Sequence, residues 1–233
     1  DLRIAGGLTN NNTGTGVGIN TNASGLLVAG TGTYTKSGTD NLGILAFATA
    51  NTLTLATGTN INLTNTSSSA LQFNAAGTLA MAGTNTVTLN SGTTVAGTTG
   101  GTISGNTPST SILSLVGGNT WAGTASTVIA ASTNVGVQVN AGLTITTPGR
   151  LSAGYLQINP GGFIGGTNPV VYPTSGTLVY NHTSGTYGVG ANEWPSTSSP
   201  ANVTVNSNGG TGISFASNNI TARTLAGTLN VAA

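Results

Sequence analysis

The sequence predicts an all-β chain wound as a right-handed parallel β-helix, that is, a β-solenoid with rungs of about 24–26 residues. Three observations lead there. Apolar residues pair at strand spacing, and the pairs recur at a short and nearly regular interval. One segment, Gly58 to Leu63, returns in near-copy as Gly83 to Leu89. Only 3% of the residues are charged. The right hand is the general habit of parallel β-coils and is not read from any residue of this chain.

The start of the chain, up to Ala50, gives the weakest signal. Asn10 to Gly16 reads as a turn, and Gly25 to Ala29 and Ile44 to Phe47 read as strands. From Asn51 the pairs are Leu53/Leu55, Ile61/Leu63, Leu71/Phe73, Leu79/Met81 and Val87/Leu89. Successive pairs start about 8 to 10 residues apart, a spacing of short strands joined by turns. Spacing of two within a pair is the strand period. The residues between pairs, such as Thr57-Gly58-Thr59-Asn60, are turn formers, because Gly supplies positive φ and Asn tolerates it. Gly58-Thr59-Asn60-Ile61-Asn62-Leu63 matches the segment Gly83 to Leu89, so three short strands make one triangular rung. The alternation resumes at Val135/Val137/Val139, Leu143/Ile145, Leu151 and Leu156/Ile158, and near the C-terminus at Val203/Val205, Ile213/Phe215, Ile220 and Leu225/Leu229/Val231. The pattern is read as one solenoid domain over 1–233, a piece of a longer repeat protein, with strand-like ends that carry no polar cap. The region 160–200 departs from it. Five of the seven prolines lie there, and it reads as a larger loop or a modified rung protruding from one face.

Composition excludes several function classes. A net charge of +1 with four Lys and Arg cannot neutralise a run of phosphates, so nucleic acid is not a partner. No apolar stretch approaches the ~20 residues of a membrane helix, so membrane insertion is not expected. There is no cysteine, and stability must come from packing and backbone hydrogen bonds. No signal peptide opens the chain, which fits removal or an internal piece. Stacked rungs would set like charges on one another. Lys36, Asp40 and Arg150 are therefore expected in loops or at loop edges, while Asn and Thr stack on their copies.

One string is distinctive: Leu178-Val179-Tyr180-Asn181, then Gly185 to Gly190, then Glu193-Trp194-Pro195, then Asn202-Val203-Thr204-Val205. It resembles a segment of the large adhesin-like cell-surface proteins that Bacteroidota export by the type IX route. The resemblance is close over this string, and elsewhere it rests on composition alone. It implies a secreted, extracellular protein at the cell surface, repeat architecture and an adhesive or filament role, and it transfers no catalytic residue. Glu193-Trp194-Pro195 reads as a corner, with the Trp194 indole N–H reaching a carbonyl and Glu193 accepting backbone N–H groups or pairing with Arg150 or Arg223.

No catalytic, cofactor or metal site is expected, and the chain is read as not an enzyme. A glycosidase pair needs two carboxyl groups across one bond, and only Asp1, Asp40 and Glu193 are available. His182, the single histidine, has too few partners for a metal or a triad and reads as a loop residue without function. The candidate ligand or adhesive surface is Tyr172, Tyr180, Tyr187 and Trp194, since such rings stack on sugar faces. The leading expectation is an extracellular structural or adhesive segment that stacks end to end or binds a surface glycan. A carbohydrate-binding module through residues 172–194 is the alternative. Ice binding through Thr-x-Thr pairs such as Thr52/Thr54, Thr86/Thr88 and Thr144/Thr146 is a third. Sequons such as Asn22-Ala23-Ser24 follow from composition.

Overall fold

Alternation turns every second side chain of a strand into the coil, and the next strand of the rung continues the wall. A computed structural model describes residues 2–11, 25–123, 128–182, 184–207, 212–218 and 222–232. These form a parallel β-solenoid of about 8 turns with rungs of about 24 residues. The readings at Asn12 to Gly16, Asn22 to Ser24 and Ile220, together with Asp1, lie outside the described residues. The described residues hold no α-helix, only a 3₁₀ turn at Ala216–Asn218.

Three faces repeat. The first is an 8-stranded parallel sheet running from Leu2–Ile4 through Gly25–Val28, Ile44–Phe47, Ser69–Phe73, Thr94–Gly97, Asn119–Trp121 and Gly142–Ile145 to Phe163–Gly166. The second face includes Gly32–Lys36, Thr52–Leu55, Thr78–Met81 and Gly101–Ser104. The third includes Gly38–Leu42, Thr59–Leu63, Asn85–Leu89 and Ser111–Leu115, and continues to Thr177–His182, Asn202–Ser207 and Leu229–Ala232. The long strands Val128–Val139 and Arg150–Ile158 bend round the edge between these two faces and join them.

Register sets the rung length. Ile61 pairs with Val87 and Val87 with Leu113, the same offset each time, and one more than the near-copy at Gly58 and Gly83 suggests. Rungs then shorten at one corner. Between the second and third faces, eight residues separate Ile103 from Ile112, four separate their partners Ala131 and Gly136, and Gly154 alone separates Ala153 from Tyr155. A Cβ on Gly154 would lie 2.3 Å from the Thr133 backbone nitrogen, so only glycine fits the tight corner.

The core is a stack of inward columns. Leu53, Leu79 and Ile103 form one, and Phe47 and Phe73 stack with ring centroids 5.0 Å apart. Burying each such side chain contributes about 1.5–3 kcal/mol. Asparagine fills the corners. Asn159 Nδ2 donates to Asn140 Oδ1 at 2.7 Å, and Asn181 Nδ2 donates to Asn159 Oδ1 at 3.0 Å. Buried Asn119 donates to the Asn90 carbonyl and to Thr93 Oγ1, both at 2.8 Å, satisfying polar groups that burial would otherwise penalise.

One expectation is corrected and another is narrowed. Asp40 is buried in the middle of a strand and does not lie in a loop or at a loop edge, whereas Lys36 ends its strand at a loop edge but is buried too. Asp40 accepts from the Tyr34 hydroxyl and, at 2.9 Å, from Asn10 Nδ2. Thr59 Oγ1 both accepts from the Lys36 N–H and donates to the Lys36 carbonyl, each at 3.0 Å. The interior tolerates the Asp40 carboxylate because two side-chain donors satisfy it, while Thr59 fixes the backbone of Lys36. Arg150 opens a strand and is exposed. Of the two readings of 160–200, the modified coil is the one that fits, since three of its segments keep their places in the stack. Phe163–Gly166 stays on the first face, Val171 bridges to Ser152, and Thr177–His182 stays on the third.

Candidate functional site

The distinctive string folds around Glu193. Strand Thr177–His182 directs Leu178, Tyr180 and His182 inward. The short strand Thr186–Gly188 brings Tyr187 beside them, with its ring centroid 5.5 Å from that of Tyr180 and 4.3 Å from the His182 ring. The chain then turns, and the Trp194 backbone N–H donates to the Gly190 carbonyl at 3.2 Å. The turn drops the Glu193 side chain into the interior, where it is fully buried.

The carboxylate accepts from Gly190 N–H at 2.6 Å, from the Tyr187 hydroxyl at 2.7 Å and from the Tyr180 hydroxyl at 3.4 Å. The Tyr172 hydroxyl donates to the Glu193 carbonyl at 2.7 Å. Burial pushes the Glu193 carboxyl up to about 7, against the opposing pull of these donors. Burial, together with the Glu193 charge, raises the tyrosine hydroxyls of Tyr172, Tyr180 and Tyr187. Burial also lowers the His182 imidazole.

Of the two roles expected for Glu193, backbone acceptance is the one found. Arg223 instead donates its Nε to the Trp194 carbonyl at 2.6 Å. Trp194 packs edge-on against Phe215 at 5.3 Å, and its indole N–H, expected on a carbonyl, has no hydrogen-bond partner among the described residues. His182 ends a strand and is buried, which corrects its reading as a loop residue.

The four expected ligand residues are thus brought together, but facing inward. Tyr172, Tyr180 and Trp194 are 5%, 0% and 4% exposed, and Tyr187 is half-buried. A stacking platform needs an open ring face, but Tyr187 packs on Tyr180 and His182, Trp194 packs on Phe215, and the tyrosine hydroxyls turn to Glu193. The Thr-x-Thr pairs are scattered over the coil. Thr52/Thr54 lie on the second face, Thr86/Thr88 on the third and Thr144/Thr146 at the first. Among the described residues, no three His, Cys, Asp or Glu side chains cluster to hold a metal, and no helix is long and apolar enough to cross a membrane.

Sequence reasoning missed a surface cleft of about 190 Å³ walled by Arg150, Asn168, Pro169, Val170, Val171, Thr197 and Ser198. These residues are far apart in the chain, and only the stacking of three rungs joins them. The surviving signal was Arg150 itself, a rare charge in this chain.

Comparison with family models, with curated proteins and with solved structures finds no match. The fold and the chemistry of its surfaces carry the functional reading.

Proposed function

We propose that the chain is a non-catalytic, extracellular structural or adhesive segment of a bacterial surface protein or filament. The observation that carries this reading is a continuous parallel ladder of about 8 turns whose described carboxylates, Asp40 and Glu193, are both buried. At about 4.8 Å per rung such a coil is a spacer on the order of 40 Å long. Its outer faces are hydroxyls and amides, suited to contact with solvent or glycans. The resemblance of residues 178–205 to type IX-exported surface proteins of Bacteroidota supports the same reading. Two internal carboxylates on distant rungs offer no acid–base pair to a substrate, which favours a role without catalysis.

A further rung stacked on Leu229–Ala232, from this chain or from a second copy, belongs to this reading. Leu229 and Val231 align with buried Val203 and Val205, yet they are 54% and 64% exposed. Covering them with another β-rung removes apolar surface from water.

Immunogold labelling of intact producing cells, with antibody raised against this chain, tests display. Gold on the surface or on extracellular filaments is expected. Label that appears only after permeabilisation overturns the reading.

A further inference from the structure

On the second face, Leu151 and Ala153 point inward, so Arg150 and Ser152 point out. One rung further on, regular pairing on this face is reduced to a single bridge, Ser152 to Val171. Val171 N–H donates to the Leu151 carbonyl at 2.9 Å, and Ala153 N–H donates to the Val171 carbonyl at 3.0 Å. The sheet gives way to irregular chain, and the cleft opens there.

Its walls are fixed. Asn168 Nδ2 donates to the Gly149 carbonyl at 2.7 Å, and Thr147 Oγ1 donates to Asn168 Oδ1 at 3.3 Å. The Ser198 carbonyl accepts from Tyr172 N–H at 3.2 Å. Ser198 has φ of 53°, the single described non-glycine residue with positive φ. Such a conformation costs free energy and persists where the surroundings over-determine it, often at binding sites.

The free chemistry of the cleft is specific. Arg150 brings a guanidinium to a surface nearly without charge, and it makes no ion pair among the described residues. The described carboxylates, Asp40 and Glu193, are buried and engaged by tyrosine hydroxyls elsewhere. The exposed hydroxyls of Thr197 and Ser198 make no hydrogen bond among the described residues, and Pro169 with Val171 gives a partly exposed apolar wall. One planar cation matches one carboxylate in a two-pronged contact. Two hydroxyls match ring hydroxyls, and the apolar wall matches ring C–H groups. About 190 Å³ is room for one sugar ring.

We propose that the Arg150 cleft binds a uronate residue of an acidic polysaccharide. The carboxylate lies on the Arg150 guanidinium, and the ring lies between the Pro169–Val171 wall and the Thr197 and Ser198 hydroxyls. The proposal stands on the cleft alone. A negative binding result leaves the surface-display reading to its own test.

The experiment titrates the chain with a galacturonate trimer, a neutral galactose trimer and a sulfated galactose trimer, followed by NMR shifts and calorimetry. Dissociation in the millimolar range is expected for the uronate, as suits one exposed ion pair with a few hydrogen bonds, and affinity falls with added salt. Arg150→Gln weakens it tenfold or more, and Arg150→Lys weakens it less. Arg3→Gln, at a distant exposed cation, leaves it unchanged. Circular dichroism verifies that each variant is folded. No binding of the uronate overturns the proposal, as does equal affinity in folded Arg150→Gln, or sulfated or neutral sugar binding as tightly.

Discussion

Glu193 is a carboxylic acid kept inside a wall of tyrosines, with no cation against its carboxylate among the described residues. Tyr180 and Tyr187 donate to it, Tyr172 lies near it, His182 stacks on Tyr187, and Arg223 is occupied at the Trp194 carbonyl. Its pKa is raised from 4.5 to about 7, chiefly by burial. The folded chain therefore holds this proton more tightly than the unfolded chain. The stability so contributed is fully present below about pH 4.5 and is lost as pH rises to about 7. The loss is on the order of 3 kcal/mol. His182 acts oppositely, because its pKa is lowered from 6.5, so its contribution is gained as pH rises towards 6.5. Glu193→Gln isolates the first effect, since the amide mimics the protonated acid. Urea unfolding at pH 5 and pH 8 should find the variant close to the parent at pH 5 and more stable than it at pH 8. A difference independent of pH would sink this account. The string around Glu193 was legible as unusual, but the inward direction of Tyr180 was not, because alternation alone does not say which face of a strand is the core.

At the scale of the element, strands were legible mainly where apolar inward pairs recur in close succession, and the equally apolar Leu113/Leu115 of Ser111–Leu115 was passed over. Leu53/Leu55 and Val87/Leu89 announce themselves. Gly32–Lys36 and Gly38–Leu42 obey the same period, but their inward pairs are Tyr34/Lys36 and Asp40/Leu42, so charge hid the alternation. Close packing between elements was not legible either. Gly77 and Gly101 occupy equivalent positions at the start of two second-face strands, and each lies against one of the stacked rings. A Cβ on Gly101 would sit 2.2 Å from Phe73 Cδ1, and one on Gly77 would sit 2.6 Å from Phe47 Cδ1. The stacked rings have no room to retreat. Gly101→Ala is therefore expected to destabilise the chain by about 1–3 kcal/mol. Gly6→Ala, where a Cβ meets nothing within 4 Å, should be near neutral. Thermal unfolding of the two variants checks this, and equal melting temperatures would show that the rings shift freely.

The whole molecule is a row of rungs in which each rung touches its neighbours. Its period was legible as about 24–26 residues. Its shortening was not, because nothing in the string marks the corner at Gly154 as one residue long where the corner two rungs earlier takes eight. Such an architecture couples stability over short range along the axis. Trp121 tests how short. It is fully buried, and its indole N–H donates to the Arg150 carbonyl at 3.2 Å, so it ties its own rung to the next. Trp121→Ala leaves a cavity and an unpaired carbonyl, at a cost of about 3–5 kcal/mol. In a cooperative globule that cost would appear at every protected amide. Here Thr94–Gly97 and Gly142–Ile145, the strands paired with Asn119–Trp121, should lose the most hydrogen-exchange protection. Ile44–Phe47, three rungs away, should change least, since two intact interfaces lie between. Uniform loss across these strands would mean that the coil opens as one unit.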